Sequence, residues 1–327
     1  MSTSAARVEP ATTASAARDG GSAARNGGSA PRRRGLGIER RRSLTGWAFL
    51  IPAALLIAVV NFLPMVQAFV LSLQTGRGSR LSLAEPVYAN YARLPEDKLF
   101  LLTLKTTFIY LVVQVPVMLV LALILANLLN NKNLRFKAVF RTAIFLPCAV
   151  SLVSYSLVFR TMFANDGFVN DMLLGLGLVD SPVPWLTQTG TARAVLILGL
   201  LWRWTGYNMV FYLAALQNID QSTLEAARID GAGPVKTFIF VTAPQLRPII
   251  LLTLIMSTNG TLQLFDESWN LTSGGPANTS MTMSHYLYNL SFRGAPNFGY
   301  AAAVSYVILI LVAILALIQM RVGDKRD

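Results

Sequence analysis

Two clusters in the chain combine side chains that can hold a polar solute without transforming it. One is Trp202, Arg203, Trp204, Tyr207 and Asn208; the other is Asn259, Gln263, Asp266, Glu267, Trp269 and Asn270. Amides and hydroxyls exchange hydrogen bonds with a hydroxylated solute, and aromatic rings cover its flat apolar faces. At helical spacing Asn259, Gln263 and Asp266 share one face, with Asn270 one further turn along, so that face can line a cavity. Each residue also has a plainer reading. Trp and Tyr populate membrane interfaces, Arg203 can snorkel, polar residues can join neighbouring helices, and Asp266 and Glu267 can be boundary residues at the end of an apolar run. Bond-breaking chemistry finds little support. The single cysteine, Cys148, sits beside Pro147 in an apolar run and excludes an intramolecular disulfide; the single histidine, His285, reads as a solvated loop residue and cannot build a multi-histidine metal site. No GxxxxGK[ST] sequence is present to cradle a nucleotide phosphate, so the chain is expected to be a non-enzyme that binds no cofactor or metal of its own.

The elements that carry these residues follow from composition. With 54% hydrophobic and 13% charged residues, the 327-residue chain is too apolar for a soluble domain and long enough for several membrane spans. The net charge of +12 does not indicate nucleic-acid binding: residues 1–42 hold nine arginines against Glu9, Asp19 and Glu39, half of the total. Those residues, rich in Ala, Ser, Gly and Arg, are expected to form a disordered basic tail whose arginines lie near anionic lipid headgroups. Windows nearly free of charge predict an all-α integral membrane fold over 43–321, with six transmembrane helices at about 47–73, 103–130, 140–162, 194–217, 248–269 and 298–320, and a short tail over 322–327. Lys and Arg number 19 on the side of the termini and seven on the other, which places both termini in the cytoplasm.

Between the fourth and fifth spans, residues 218–247 form a polar-punctuated loop. Ser222 and Glu225 have the spacing of a capping box, Gly231 can take the positive φ that ends a helix, and Gly233-Pro234 can start another. The second helix would present Val235, Phe238, Ile239 and Thr242 as a stripe and stop at Pro244 and Pro248. A helix-turn-helix knuckle results, suited to plugging into a soluble partner.

Glu225-Ala226-Ala227, then Gly231, then Val241-Thr242-Ala243-Pro244 resembles the EAA coupling loop of permease subunits of binding-protein-dependent ABC importers. Phe265-Asp266, Leu271-Thr272-Ser273-Gly274-Gly275-Pro276 and the tyrosine-bearing segment after them resemble the maltose and trehalose type of sugar permease. The resemblance covers residues 44–321 and implies an inner-membrane subunit that works with a second homologous permease, ABC ATPase subunits that bind the ATP and Mg, and an extracytoplasmic binding protein or lipoprotein that delivers the sugar. It implies ATPase coupling through Glu225, Ala226, Ala227, Asp230, Gly231, Ala232, Phe238, Ile239 and Pro244. Substrate-path candidates are Asn259, Gln263, Asp266, Asn270, Trp202, Arg203, Tyr207 and Asn208. Two alternatives stay open: a permease for another polar solute such as a glycerol phosphate, to which Arg203 would give a counter-ion, and an ion-coupled secondary transporter.

Overall fold

The computed structural model describes residues 35–77, 80–131 and 133–323. It divides into two units, residues 1–60 and 61–327. In the first, α1 runs from Gly35 to Ile57 and continues into a π-turn at Ala58. The expected disordered tail therefore ends earlier than residue 42, because Gly35 onward is helical; the rest of that tail lies outside the described residues. Every side chain from Gly46 to Val60 is exposed, and an apolar helix bare on all faces is what lipid accommodates.

The second unit opens with α2 (Leu63–Ser72) and a two-stranded antiparallel hairpin of β1 (Gln74–Arg77) and β2 (Arg80–Leu83), the one departure from an otherwise helical fold among the described residues. Then come α3 (Ala89–Arg93), α4 (Lys98–Asn130), α5 (Lys137–Ala149), α6 (Leu152–Met162), α7 (Phe168–Gly175) and α8 (Thr189–Leu216). The chain continues through α9 (Gln221–Ile229), α10 (Pro234–Thr237), α11 (Ala243–Gln245), α12 (Arg247–Leu262), α13 (Asp266–Asn270), α14 (Met283–Phe292) and α15 (Phe298–Gly323). Four helices are long and apolar enough to cross a membrane: Gly46–Ser72, α4, α8 and α15. Six spans result when two bent pairs are each counted as one.

Those bends divide two of the expected spans. The segment anticipated as one helix over 140–162 is α5 and α6, meeting at 97° around Val150-Ser151. Pro147 removes one backbone donor just before the corner, and the carbonyls freed there find a partner on α8, described below. The fifth span ends at Leu262 instead of 269, breaks through Gln263-Leu264-Phe265, and resumes as α13. Pro244 does not stop the helix before it: helical structure continues through a π-turn at Phe238–Thr242 into α11, and the 70° corner falls at Leu246. A proline in the first turn of a helix lacks only a donor that has no partner there, which is why Pro248 in α12, just past the corner, is tolerated.

The core has two main parts. Val115, Met118, Leu119 and Ala122 of α4 pack with Met209, Tyr212 and Leu213 of α8 and with Leu246. At the other end of α4, Phe100 packs with Leu262, Met283, Tyr286 and Tyr300. Asp97 fixes that second region. Its Oδ1 accepts from the Leu99 and Phe100 N–H groups at 2.9 and 3.2 Å, capping α4, and its Oδ2 accepts from the Tyr286 and Tyr300 hydroxyls at 2.6 and 2.8 Å. Burial alone would raise the Asp97 carboxyl; these four hydrogen bonds outweigh it and hold the group below the usual carboxylate range.

The connections are as tightly built. Asn170 is fully buried, donates to the carbonyls of Ala164, Asn165 and Val183 at 3.0–3.2 Å, and accepts from Val183 N and Trp185 Nε1, both at 3.0 Å. Asn170→Leu strands the Trp185 indole and the Val183 peptide and is expected to cost about 3 kcal/mol, read as a lowered melting temperature of the detergent-solubilised protein. The Gly274–Thr282 loop is stitched to α4 and α8: Thr106 Oγ1 and Arg193 Nε donate to the Thr279 carbonyl at 3.0 and 2.8 Å, and Met283 N donates to Thr107 Oγ1 at 3.1 Å. His285 corrects the solvated-loop expectation, since it is 1% exposed, with Nδ1 at 2.8 Å from Ser268 Oγ and its ring against Phe265 and Trp269. Burial, with Arg293 adding to it, pushes His285 down to about 4 and keeps the ring neutral near pH 7.

Candidate functional site

A cavity of about 320 Å³ opens where α4, α8 and α12 converge on the broken end of α12. From α4 come Gln114 and Met118; from α8 Leu200, Trp204, Tyr207 and Asn208; from α6 Leu152. The last turns of α12 give Met256, Ser257, Gly260 and Thr261, the break gives Gln263, Leu264 and Phe265, and α13 gives Asp266 and Glu267. The break is what turns Phe265, Asp266 and Glu267 toward the same space as the α8 rings. Trp204, Tyr207 and Phe211 form an edge-to-face ladder along α8, with centroids 5.8 and 5.1 Å apart, and the first two lie on the cavity wall.

The floor is more deeply buried. Gln114, Met118, Asn208 and Thr261 are all less than a tenth exposed. Gln114 Nε2 donates to Met118 Sδ at 3.1 Å, Asn208 Nδ2 donates to the same sulfur at 3.6 Å and to the Trp204 carbonyl at 3.1 Å, and Thr261 Oγ1 donates to Gln114 Oε1 at 3.2 Å. Among the described residues, two carboxylates and no basic side chain line this space.

The sequence candidates divide accordingly. Gln263, Asp266, Tyr207 and Asn208 line the cavity. Asn259 stands outside it and accepts a hydrogen bond from Gln263; Asn270 folds back on its own helix, donating to the Asp266 carbonyl at 2.9 Å. The shared helical face expected of Asn259, Gln263, Asp266 and Asn270 does not exist as one surface, because the helix breaks after Leu262. Trp202 points the other way, with its ring 6.0 and 5.5 Å from those of Tyr155 and Phe159. Arg203 is buried and serves the α5–α6 corner: an Nη donates to the Val150 carbonyl at 2.7 Å and to that of Pro147 at 3.4 Å, and the guanidinium lies over the Tyr155 and Trp204 rings. It neither snorkels nor reaches the cavity. Glu267 is no boundary residue, being 4% exposed on the cavity wall. Sequence reasoning does not single out Gln114 and Thr261, although Gln114 is the one amide in the charge-free stretch 106–126, which is a usable signal.

The second feature is the knuckle. Asp220, not Ser222, caps α9, accepting from Ser222 N at 3.0 Å, so Glu225 falls outside a capping box and its exposed carboxylate is not used as a cap. At the other end, Gly231 N donates to the Arg228 carbonyl at 3.0 Å and Ala232 N to that of Ala227 at 2.9 Å, with Gly231 at φ 80°; this is a Schellman stop, and it turns the chain toward Pro234. Leu224 and Ile219 root the knuckle in the core beside Leu246. Ala227 is buried, Ala226 and Asp230 are exposed, and Ala232 and Pro244 are half-buried. The exposed apolar crest is not the expected pair Phe238 and Ile239. Phe238 is half-buried, while Ile229, Val235, Ile239 and Phe240 stand out, the first 86% and the last 73% exposed.

Bent and straight apolar helices surround a polar cavity, and an apolar-crested knuckle projects from them, as in a membrane transport subunit. Residues 100–325 match the family model described as binding-protein-dependent transport system inner membrane component, and the chain belongs to that family. Among its relatives, the lactose transport system permease protein LacF of Rhizobium radiobacter is 50% identical over 88% of this chain and 97% of its own length. The arabinooligosaccharides transport system permease protein AraP of Bacillus subtilis is 32% identical over 85% and 88%. The fold is that of a subunit in the crystal structure of a bacterial ABC transporter involved in the import of the acidic polysaccharide alginate, with a TM-score of 0.76 at 23% identity, covering 88% of this chain and 98% of that one. The chain is thus an inner-membrane permease subunit of a binding-protein-dependent importer, as its EAA-like loop implies.

Proposed function

We propose that this chain, with a second homologous permease, forms the path by which a neutral sugar or oligosaccharide enters a bacterial cell, delivered by an extracytoplasmic binding protein and driven by ABC ATPase subunits that bind the ATP and Mg. The cavity is the observation that carries the reading. Its rings suit pyranose faces, its amides and hydroxyls suit sugar hydroxyls, and its Asp266 and Glu267 disfavour an anion. That lining argues against a glycerol phosphate, and Arg203, which holds backbone carbonyls, gives no counter-ion to one. The name of the half-identical relative makes lactose the first solute to test.

Partner chemistry is legible too. Asn259, Gly260 and Gln263 are exposed on a membrane helix, where lipid cannot satisfy amides, so a second permease closing the cavity suits this face. The excess of Lys and Arg on the side of the termini and the knuckle supports a cytoplasmic position for both, within reach of an ATPase. There Ile229, Val235, Ile239 and Phe240 supply apolar contact, Glu225 a charge, and Gly231 the angle between the two limbs.

Copurification from the native membrane tests the reading. The wild-type chain is expected to bring a second permease and an ATPase. The Ile239→Glu, Phe240→Glu double variant is expected to keep the permease and lose at least nine-tenths of the ATPase, because burying two carboxylates in an apolar contact costs several kcal/mol, on the order of a 100-fold loss of affinity or more. Recovery of the wild-type chain alone, under mild detergent and nucleotide, would sink the importer reading.

A further inference from the structure

The floor of the cavity contains a mismatch between strong donors and a weak acceptor. Two primary amides, Gln114 from α4 and Asn208 from α8, both direct an N–H at the thioether of Met118, at 3.1 and 3.6 Å. Thioether sulfur is among the poorest acceptors in a protein, and buried amides ordinarily find oxygen. Gln114 and Met118 are each 2% exposed and Asn208 is 3% exposed, so water does not make up the difference freely. The remaining Gln114 atom is little better served, since its Oε1 accepts from Thr261 Oγ1 at a long 3.2 Å. Three helices bring these side chains to one spot on the cavity wall, and Met118, with an unbranched and flexible side chain, is the easiest of them to displace.

We propose that this floor is a hydroxyl-recognition subsite, in which a sugar hydroxyl displaces the Met118 sulfur, accepts from the Gln114 and Asn208 amides, and donates to Gln114 Oε1. The inference rests on the sugar-import reading and specifies where in the path discrimination occurs. A hydroxyl both donates and accepts, which is what a side-chain amide presents, and the thioether holds the two donors in place while the site is empty. An analogue lacking that hydroxyl leaves Gln114 Nε2 with sulfur alone and Asn208 Nδ2 with sulfur and the Trp204 carbonyl. Sites built to hydrogen-bond a hydroxyl reject its absence much more strongly than apolar sites reject a methylene.

The test uses the full complex of this chain with its copurifying partners in detergent, radiolabelled lactose and its monodeoxy analogues, and equilibrium binding without the binding protein, so that selection upstream does not enter. Wild type is expected to bind at least one monodeoxy analogue about tenfold more weakly than lactose. Gln114→Met, similar in volume and apolar, is expected to remove the penalty for that analogue and keep the others. Undiminished discrimination against every analogue in Gln114→Met overturns the proposal. Should Gln114→Met fail to accumulate, Met118→Leu decides: removing the competing acceptor is expected to tighten lactose severalfold while the deoxy penalty persists, and unchanged or weaker binding overturns the proposal. Absence of lactose and oligosaccharide uptake by the wild-type complex reconstituted in proteoliposomes with its binding protein would be the separate failure of the sugar-import reading, recognisable because it precedes any comparison of variants.

Discussion

Arg203→Leu is expected to leave little folded protein in the membrane. The guanidinium is 6% exposed and supplies the donor for the Val150 carbonyl, and a longer contact to that of Pro147, at a corner where the helix has lost its own ladder. With leucine there, those carbonyls face an apolar interior, and the Tyr155 and Trp204 rings lose the cation between them. Stranding groups of this kind costs roughly 2–5 kcal/mol, against a total stability of about 5–15 kcal/mol for a typical protein. Fluorescence-detected size-exclusion before and after heating reads the loss. Arg203→Lys keeps one donor and gives up the planar fork, so it is expected to fall between leucine and wild type. Equal behaviour of leucine and wild type would mean that the corner holds itself.

The second large effect is expected one turn along the same helix. A Cβ on Gly206 would lie 1.9 Å from the Ile144 carbonyl oxygen and 2.7 Å from its carbon, both backbone atoms that no rotamer change can move. Gly206→Val must therefore push α5 off α8 and carry with it the corner that sets Leu152 on the cavity wall. Overpacking of this severity costs about 3 kcal/mol or more, and transport is expected to fall further than stability because the wall is displaced. Gly199→Ala is the control on the same helix. Its added Cβ meets only the Tyr155 and Phe159 rings at 3.6–3.7 Å, an ordinary contact, and its melting temperature is expected to stay within a few degrees of wild type.

How far the sequence revealed this architecture depends on the kind of force involved. Charge-free windows locate the apolar helices well, because the bilayer allows no other arrangement of backbone polar groups. Gly231 is legible as a stop because few other residues take its φ. The corners were not legible. Pro147 marks the neighbourhood of one, but the residue that makes it tolerable, Arg203, lies 56 positions away from Pro147, and its place in the sequence suggests only a path residue or a snorkelling one. The same blindness to long-range partners explains Asn259 and Asn270: periodicity placed them on a common face, and the break after Leu262 removed it. Asp220 caps instead of Ser222 because, two residues earlier, it accepts the Ser222 amide that a capping box would give to Glu225, and the helix starts at Gln221. Gln114 needed only the rule that an amide in the middle of an apolar span is costly, and Met118 needed the structure.

The corner at Leu246 has a mechanical meaning. A straight helix pushed at one end can only slide along its axis, whereas a rigid arm set at 70° to its neighbour works as a bell-crank. Leu246, 1% exposed and packed with residues of α4 and α8, sits at the elbow. Force applied to the Pro234–Gln245 arm would tilt α12 about that elbow, and the far tip of α12, where Thr261 stands, would move the most.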